Sequence, residues 1–137
     1  MKKLINQKGT AAVEFALVLP LLMVIVFGII DFSFVLYDKQ IITNASREGA
    51  RVGIVAQSPR VTDPAITTVV NNYVSNHLIT FGSVKTATTT IARTGLLFGD
   101  NLTVTVKFDY RFLVLPKFIS TLTGVQNLNA TTVMRME

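Results

Sequence analysis

Gly9-Thr10-Ala11-Ala12-Val13-Glu14-Phe15-Ala16-Leu17-Val18-Leu19-Pro20-Leu21-Leu22-Met23-Val24-Ile25-Val26-Phe27-Gly28-Ile29-Ile30 is the stretch on which the reading of this chain turns. From Thr10 to Ile30 it holds twenty-one residues and one charge, that of Glu14. Wound as a helix rising 1.5 Å per residue, the segment is about 30 Å long, the thickness of the hydrocarbon core of a bilayer. An ionisable side chain there is costly. Lipid tolerates one only where a partner, a neutral protonation state or closeness to the interface relieves the charge. Glu14 therefore requires a functional explanation that an ordinary hydrophobic anchor would not.

The flanks orient the segment. Lys2, Lys3 and Lys8 precede it and Asp31 and Asp38 follow it, so the positive-inside rule puts the N-terminus in the cytoplasm and everything beyond Asp31 outside. A secretory signal peptide would end in a small-residue site of the Ala-x-Ala kind, and none follows between Val26 and Phe34. An uncleaved signal anchor needs only length and charge asymmetry, and it stands as the alternative reading.

The order Gly9-Thr10-Ala11-Ala12-Val13-Glu14-Phe15 resembles the processing site of type IV-like prepilins, where a membrane peptidase cuts after glycine and a glutamate stands fifth in the mature chain. The following Ala16-Leu17-Val18-Leu19-Pro20-Leu21-Leu22, and the later run Asn44-Ala45-Ser46-Arg47-Glu48-Gly49-Ala50-Arg51-Val52-Gly53, resemble the TadE-like pseudopilin family of the tight-adherence (Flp) pilus system. This resemblance implies a prepilin leader over residues 1–9 and a cut between Gly9 and Thr10. It further implies a transmembrane helix over 10–30 and an extracytoplasmic, pilin-like domain over 31–137. The partners it implies are a prepilin peptidase, other pilins or pseudopilins and the pilus assembly platform, with membrane lipid around the helix. The implied role is that of a minor pilin in pilus biogenesis, single-pass in the cytoplasmic membrane and available for incorporation into extracellular pili. The major fibre subunit of that system resembles a very short peptide, and this chain is longer.

Elementary chemistry gives these residues roles. Cutting after Gly9 creates an amino group on Thr10, at the helix end where backbone N–H groups lack partners and the dipole is positive. Glycine suits a scissile position because the missing Cβ eases departure from helix. Glu14 lies one turn further on. In a bundle of such helices its carboxylate can pair with the Thr10 amine of a neighbour and set axial register; the plainer reading is that it snorkels to the headgroups. Phe15 follows it, as in the tight-adherence branch. Pro20 removes one helical hydrogen bond and crowds the Ala16 carbonyl, so a kink or loosened turn is expected, either to ease withdrawal from the bilayer or as ordinary tolerance of proline in lipid.

Past the membrane the pattern changes. Phe34, Tyr37, Ile41, Ala45, Gly49, Val52 and Ala56 recur at spacings of three and four, with Asp38, Thr43, Arg47 and Arg51 on other faces. One helix from about Thr10 to about Ala56 is predicted, packing this stripe on the C-terminal domain, with Ala45, Gly49, Ala50 and Gly53 permitting close approach. Arg47, Glu48 and Arg51 lie near no nucleophile or base and read as a salt-bridged docking surface.

Beyond Ser58-Pro59, Asp63 is expected to cap a helix with Pro64 at its first position, running to about Leu78. The threonine-rich Ser83–Arg93 segment reads as a strand, and Gly95 with Gly99-Asp100-Asn101 as the returning turn. Leu102, Val104, Val106, Phe108, Tyr110 and Phe112 alternate with polar residues as a second strand that Pro116 ends. A loop or short helical turn is expected over Lys117 to Gly124, and a last strand from Leu128 to Met136. Phe98 and the aromatics from Phe108 to Phe118 are assigned to the core. The fold class expected is α+β: a long N-terminal helix packed on a small antiparallel sheet of about three strands with a second helix.

Composition bounds the alternatives. The chain has 137 residues, half of them hydrophobic, and no cysteine. That leaves room for one small domain, with no disulfide framework and no cysteine-based zinc site. Lys2, Lys3 and Lys8 supply +3 of the formal +5 charge, so the basic balance is partly a leader effect and argues for no nucleic-acid partner. The lone His77 has no ligand cluster around it, and no metal, cofactor, small-molecule substrate or catalytic constellation is expected. Three classes result: a structural pilin component, a signal-anchored envelope protein with an extracytoplasmic binding domain, and an exported hydrolase, for which the residues are not found.

Overall fold

The computed structural model describes residues 7–80, 85–112 and 126–137. Helix α1 spans Gln7–Gly53 and helix α2 spans Asp63–His77; strands β1 (Thr88–Arg93), β2 (Asn101–Tyr110) and β3 (Gln126–Arg135) follow. The strands form one antiparallel sheet in the order β1-β2-β3. Thr90 pairs with Thr105, and Thr105 in turn with Thr131. The expected α+β architecture is the observed one. Ser83, Pro116, the turn over Lys117 to Gly124 and Phe118 lie outside the described residues; within them residues 85–87 are not in strand and β1 starts only at Thr88, so it is shorter than the expected Ser83–Arg93.

The two helices and the sheet close over one core. β2 buries every second side chain, Leu102, Val104, Val106, Phe108 and Tyr110, against Ile41, Ile42, Ala45 and Ala50 of α1 and Ile66, Val70 and Val74 of α2. This is the alternation a half-buried strand requires. At Gly49 a Cβ would lie 2.6 Å from Val70 Cγ2, and at Gly53 one would strike Ile66 Cδ1 at 2.6 Å and the Leu102 side chain. Two glycines one turn apart thus let α2 and β2 approach the backbone of α1 directly, as the small-residue run predicts.

Four further expectations are corrected. The packed stripe of α1 is wider than expected: Ile41, Ala45 and Gly49 are buried where the pattern puts them, but Tyr37 and Ala56 are exposed, whereas Asp38, placed by its charge on another face, is fully buried with Asp31, Ile42 and Ser46. The polar members of this face are accommodated by tertiary hydrogen bonds. Asp38 Oδ1 accepts the Ile79 amide at 3.2 Å, and the Ser46 and Thr132 hydroxyls lie 2.7 Å apart. Periodicity scored on apolar residues alone passes over such groups. Second, α2 is capped by Thr62 rather than Asp63, with no side-chain cap bond; the Asp63 carboxylate pairs instead with Arg93 at 2.7 Å, fastening the start of α2 to the end of β1. Third, Phe98 is outside the core, 86 % exposed on the β1–β2 connection. Fourth, β2 ends at Tyr110, and Phe112 packs edge-on to the Tyr110 ring with centroids 5.5 Å apart.

Candidate functional site

The residues singled out by the sequence fall into two groups on α1. Gly9, Thr10, Glu14, Phe15 and Pro20 occupy its first four turns, and Arg47, Glu48 and Arg51 its last two. From Glu14 to Glu48 is about 50 Å along the axis. They are separate surfaces.

In the first group the helix stands clear of the domain. Every side chain from Gly9 to Leu22 is exposed, Phe15 at 63 %, and a Cβ on Gly9 would meet nothing within 4 Å. The helix is long and apolar enough to cross a membrane, and the apolar window is not buried inside the protein at all. Such a surface must be covered by something other than this chain's own core. Glu14 lies four residues after Thr10 and so shares its helix face. The Gly9–Thr10 peptide bond itself is inside α1, which begins at Gln7, and α1 continues through Pro20 to Gly53.

In the second group Arg51 donates two parallel hydrogen bonds to the Glu48 carboxylate, at 2.9 Å from Nε and 2.5 Å from Nη2. The hydrogen bonds and charge of Arg51 hold the Glu48 carboxyl below its usual range. Arg47 is exposed beside them. The arrangement is the expected helix-surface pair, on the face turned away from the core.

A third polar group is not among the residues singled out by the sequence. Asp31 and Asp38, seven residues apart on α1, are fully buried beside the base of the sheet, near enough to Tyr110 for their charges to add to the effect of burial in pushing its phenol up to about 12. Tyr110 is only 3 % exposed, and among the described residues neither its hydroxyl nor Asp38 Oδ2 has a hydrogen-bond partner. The sequence signal was the i, i+7 spacing of the two acids on the packed face. Among the described residues no three His, Cys, Asp or Glu side chains gather as a metal site.

Comparison with known proteins places the first two groups in one context. Residues 9–51 match the family described as TadE-like protein, so the match starts at Gly9 and ends at Arg51. It covers the apolar helix and nearly all of α1, and it agrees with the resemblance carried by Glu14 and by the Asn44–Gly53 run. It is consistent with a component of the tight-adherence pilus system, and the single long apolar helix fits a single-pass membrane protein of such a system. No curated protein and no solved structure matches the chain significantly.

Proposed function

We propose that this chain is a minor pilin or pseudopilin of a tight-adherence, type IV-like pilus machine, processed by a prepilin peptidase between Gly9 and Thr10. It sits in the cytoplasmic membrane through residues 10–30, with the leader lysines inside and residues 31–137 outside. It acts by binding, as a subunit that primes, caps or assembles the fibre with related pilins and the assembly platform. The observation that carries this reading is the coincidence of the TadE-like match with a bare apolar helix bearing Glu14 in its second turn. Trimming the leader frees an amine on Thr10, and Glu14 is one turn away to bind the amine of a neighbour.

One observation favours the alternative of an uncleaved signal-anchored envelope protein: the Gly9–Thr10 bond lies within α1, not in the extended form a protease binds. Under the pilin reading the peptidase must unwind the first turn, which Gly9 assists because glycine is a poor helix residue by about 1 kcal/mol. N-terminal mass spectrometry of the protein from cells with and without the peptidase decides. Thr10 is expected to lead the mature chain, and Gly9→Val to block processing; an intact Met1 terminus in peptidase-positive cells overturns the reading.

A further inference from the structure

The charge that closes the apolar segment in the sequence is not on the surface of the fold. Asp31 is fully buried, turned from α1 into the domain, and so is Asp38 two turns further on. Between Phe15 and Leu36 the chain holds no other ionisable residue. The exposed face of α1 therefore stays uncharged past Ile30, through Phe32, 61 % exposed, and Leu36, 56 % exposed. Besides Asp31 the one polar side chain on this stretch is Ser33, and its exposed hydroxyl donates to Ile29 O at 2.8 Å, inside the helix. Hydrocarbon demands such internal satisfaction of a hydroxyl, and water does not.

The stretch ends in groups suited to a membrane surface. The exposed Tyr37 donates its hydroxyl to His77 O at 3.3 Å, and the His77 ring stacks on that of Tyr73 with centroids 4.5 Å apart. Rings with an apolar body and a polar tip collect at headgroup level. Lys39 and Gln40, both exposed, follow within one turn. From Phe15 to Leu36 there are twenty-two residues. They make about 33 Å of helix, which at a tilt of about 20° crosses about 31 Å. That matches the hydrocarbon core of a bilayer, about 30 Å thick. The same frame leaves Glu14 just outside the hydrocarbon at the inner boundary, where a carboxylate reaches the headgroups. A frame over residues 10–30 instead holds Glu14 about 6 Å inside the hydrocarbon and gives Phe32 and Leu36 to water.

We infer that the lipid-facing surface of α1 runs from Phe15 to Leu36, nearly two turns beyond Ile30, so that the base of the outer domain is seated in the outer leaflet. Asp31 then lies at membrane depth without meeting lipid, because the domain covers its side of the helix. Acyl chains are the occupant of the Ile29-Phe32-Leu36 face: it continues the bare helix below it without a break in composition and stops at Tyr37. The seat also fixes how the domain stands on the bilayer. Phe34 and Val35 pack against the core while Phe32 and Leu36, on the same two turns, face outward, so helix and domain meet as one rigid piece. The inference rests on the membrane placement of α1, which the pilin and signal-anchor readings share, and not on cutting at Gly9.

The chain has no cysteine, so single nitroxide labels can be introduced directly. Full-length Leu19→Cys, Phe32→Cys, Leu36→Cys, Gln40→Cys and Arg47→Cys proteins are labelled and placed in nanodiscs of phosphatidylethanolamine and phosphatidylglycerol. All five side chains are exposed, so the variants should keep the thermal stability of the parent. Electron paramagnetic resonance then reads how often each label collides with oxygen and with a water-soluble nickel chelate. The oxygen-to-chelate ratio at Phe32→Cys is expected to exceed that at Arg47→Cys at least fivefold, with Leu36→Cys between them and Gln40→Cys within twofold of Arg47→Cys. A Phe32→Cys ratio equal to that of Arg47→Cys returns the boundary to Asp31 and overturns the inference. Labels at Phe32 and Leu36 shielded from both reagents overturn it as well, since protein would then cover the face. Frequent chelate collision at Leu19→Cys removes the membrane placement itself. Retention of the leader, read by N-terminal mass spectrometry of the cellular protein, sinks the pilin reading alone and leaves the seat in place.

Discussion

The carboxylate of Asp38 accepts the main-chain amide of Ile79 at 3.2 Å, joining the middle of α1 to the chain just beyond the end of α2. The bond is made by a fully buried acid whose second oxygen has no partner among the described residues. It fixes how far α2 can slide along α1, since the other end of α2 is held by the Asp63–Arg93 pair. The two anchors bracket the close contacts at Gly49 and Gly53.

Stability should depend on the ionisation of Asp38. Burial raises its pKa, against the opposing effects of the Ile79 hydrogen bond and the charge of Lys85. A carboxyl raised on folding contributes most when both states are protonated, below its ordinary value of 3.8, and that contribution is lost as pH rises through the folded value. Asp38→Asn keeps a carbonyl oxygen for the Ile79 N–H and removes the buried charge. It should be more stable than the parent at pH 7 and show a flatter slope above pH 4 in denaturant titrations of the detergent-solubilised protein. A variant less stable than the parent at pH 7 would show that Lys85 outweighs desolvation.

Tyr110 offers an independent check on the same buried corner. Its phenol is pushed up to about 12 by burial and then by the charges of Asp31 and Asp38, so its contribution is complete below pH 10 and lost as pH rises through about 12. Tyr110→Phe deletes a hydroxyl without a partner among the described residues and should change stability at pH 7 by less than about 1 kcal/mol. Ultraviolet titration of parent and variant should differ by one phenolate forming near pH 12. A loss of more than about 2 kcal/mol would reveal a hydrogen bond to that hydroxyl.

Gly49 and Gly28 form a matched pair on one helix. A side chain at Gly49 enters Val70 and Ile66, whereas one at Gly28 meets nothing within 4 Å. Gly49→Val should cost about 1–3 kcal/mol by overpacking. Gly28→Ala should leave the outer domain unchanged in the same thermal melt, and equal losses at both positions would contradict the close approach of α2.

The sequence disclosed those parts of the fold that follow from a repeating pattern. The β2 alternation from Leu102 to Tyr110, the glycines of the packed helix face and the Gly99 turn each reflect one local requirement, and each lies where the pattern puts it. What it hid depends on tertiary partners. The burial of Asp38 requires the Ile79 amide, forty-one residues away. Asp63 resembles a cap until Arg93 draws its carboxylate aside, and Phe98 resembles a core aromatic until the Asp100 and Met136 bonds turn its loop outward. At the candidate site Gly9, Glu14 and Phe15 were legible because their order is local, while the Asp31–Asp38–Tyr110 corner was not, because its third member comes from the sheet.

Glu14 separates the pilin reading from simple anchoring. The exposed carboxylate shares a helix face with Thr10, and pairing with the amine of a neighbour requires its charge, whereas snorkelling to headgroups serves only its own subunit. Glu14→Ala should therefore be processed normally, giving a Thr10 terminus, yet lose assembly, because an unpaired amine would remain in the helix bundle. Glu14→Gln, which keeps length and hydrogen bonding but no charge, should show the same split. Counting pili by electron microscopy alongside N-terminal mass spectrometry checks both. Normal piliation by either variant would remove Glu14 from assembly, and a block to cutting would assign it to peptidase recognition instead.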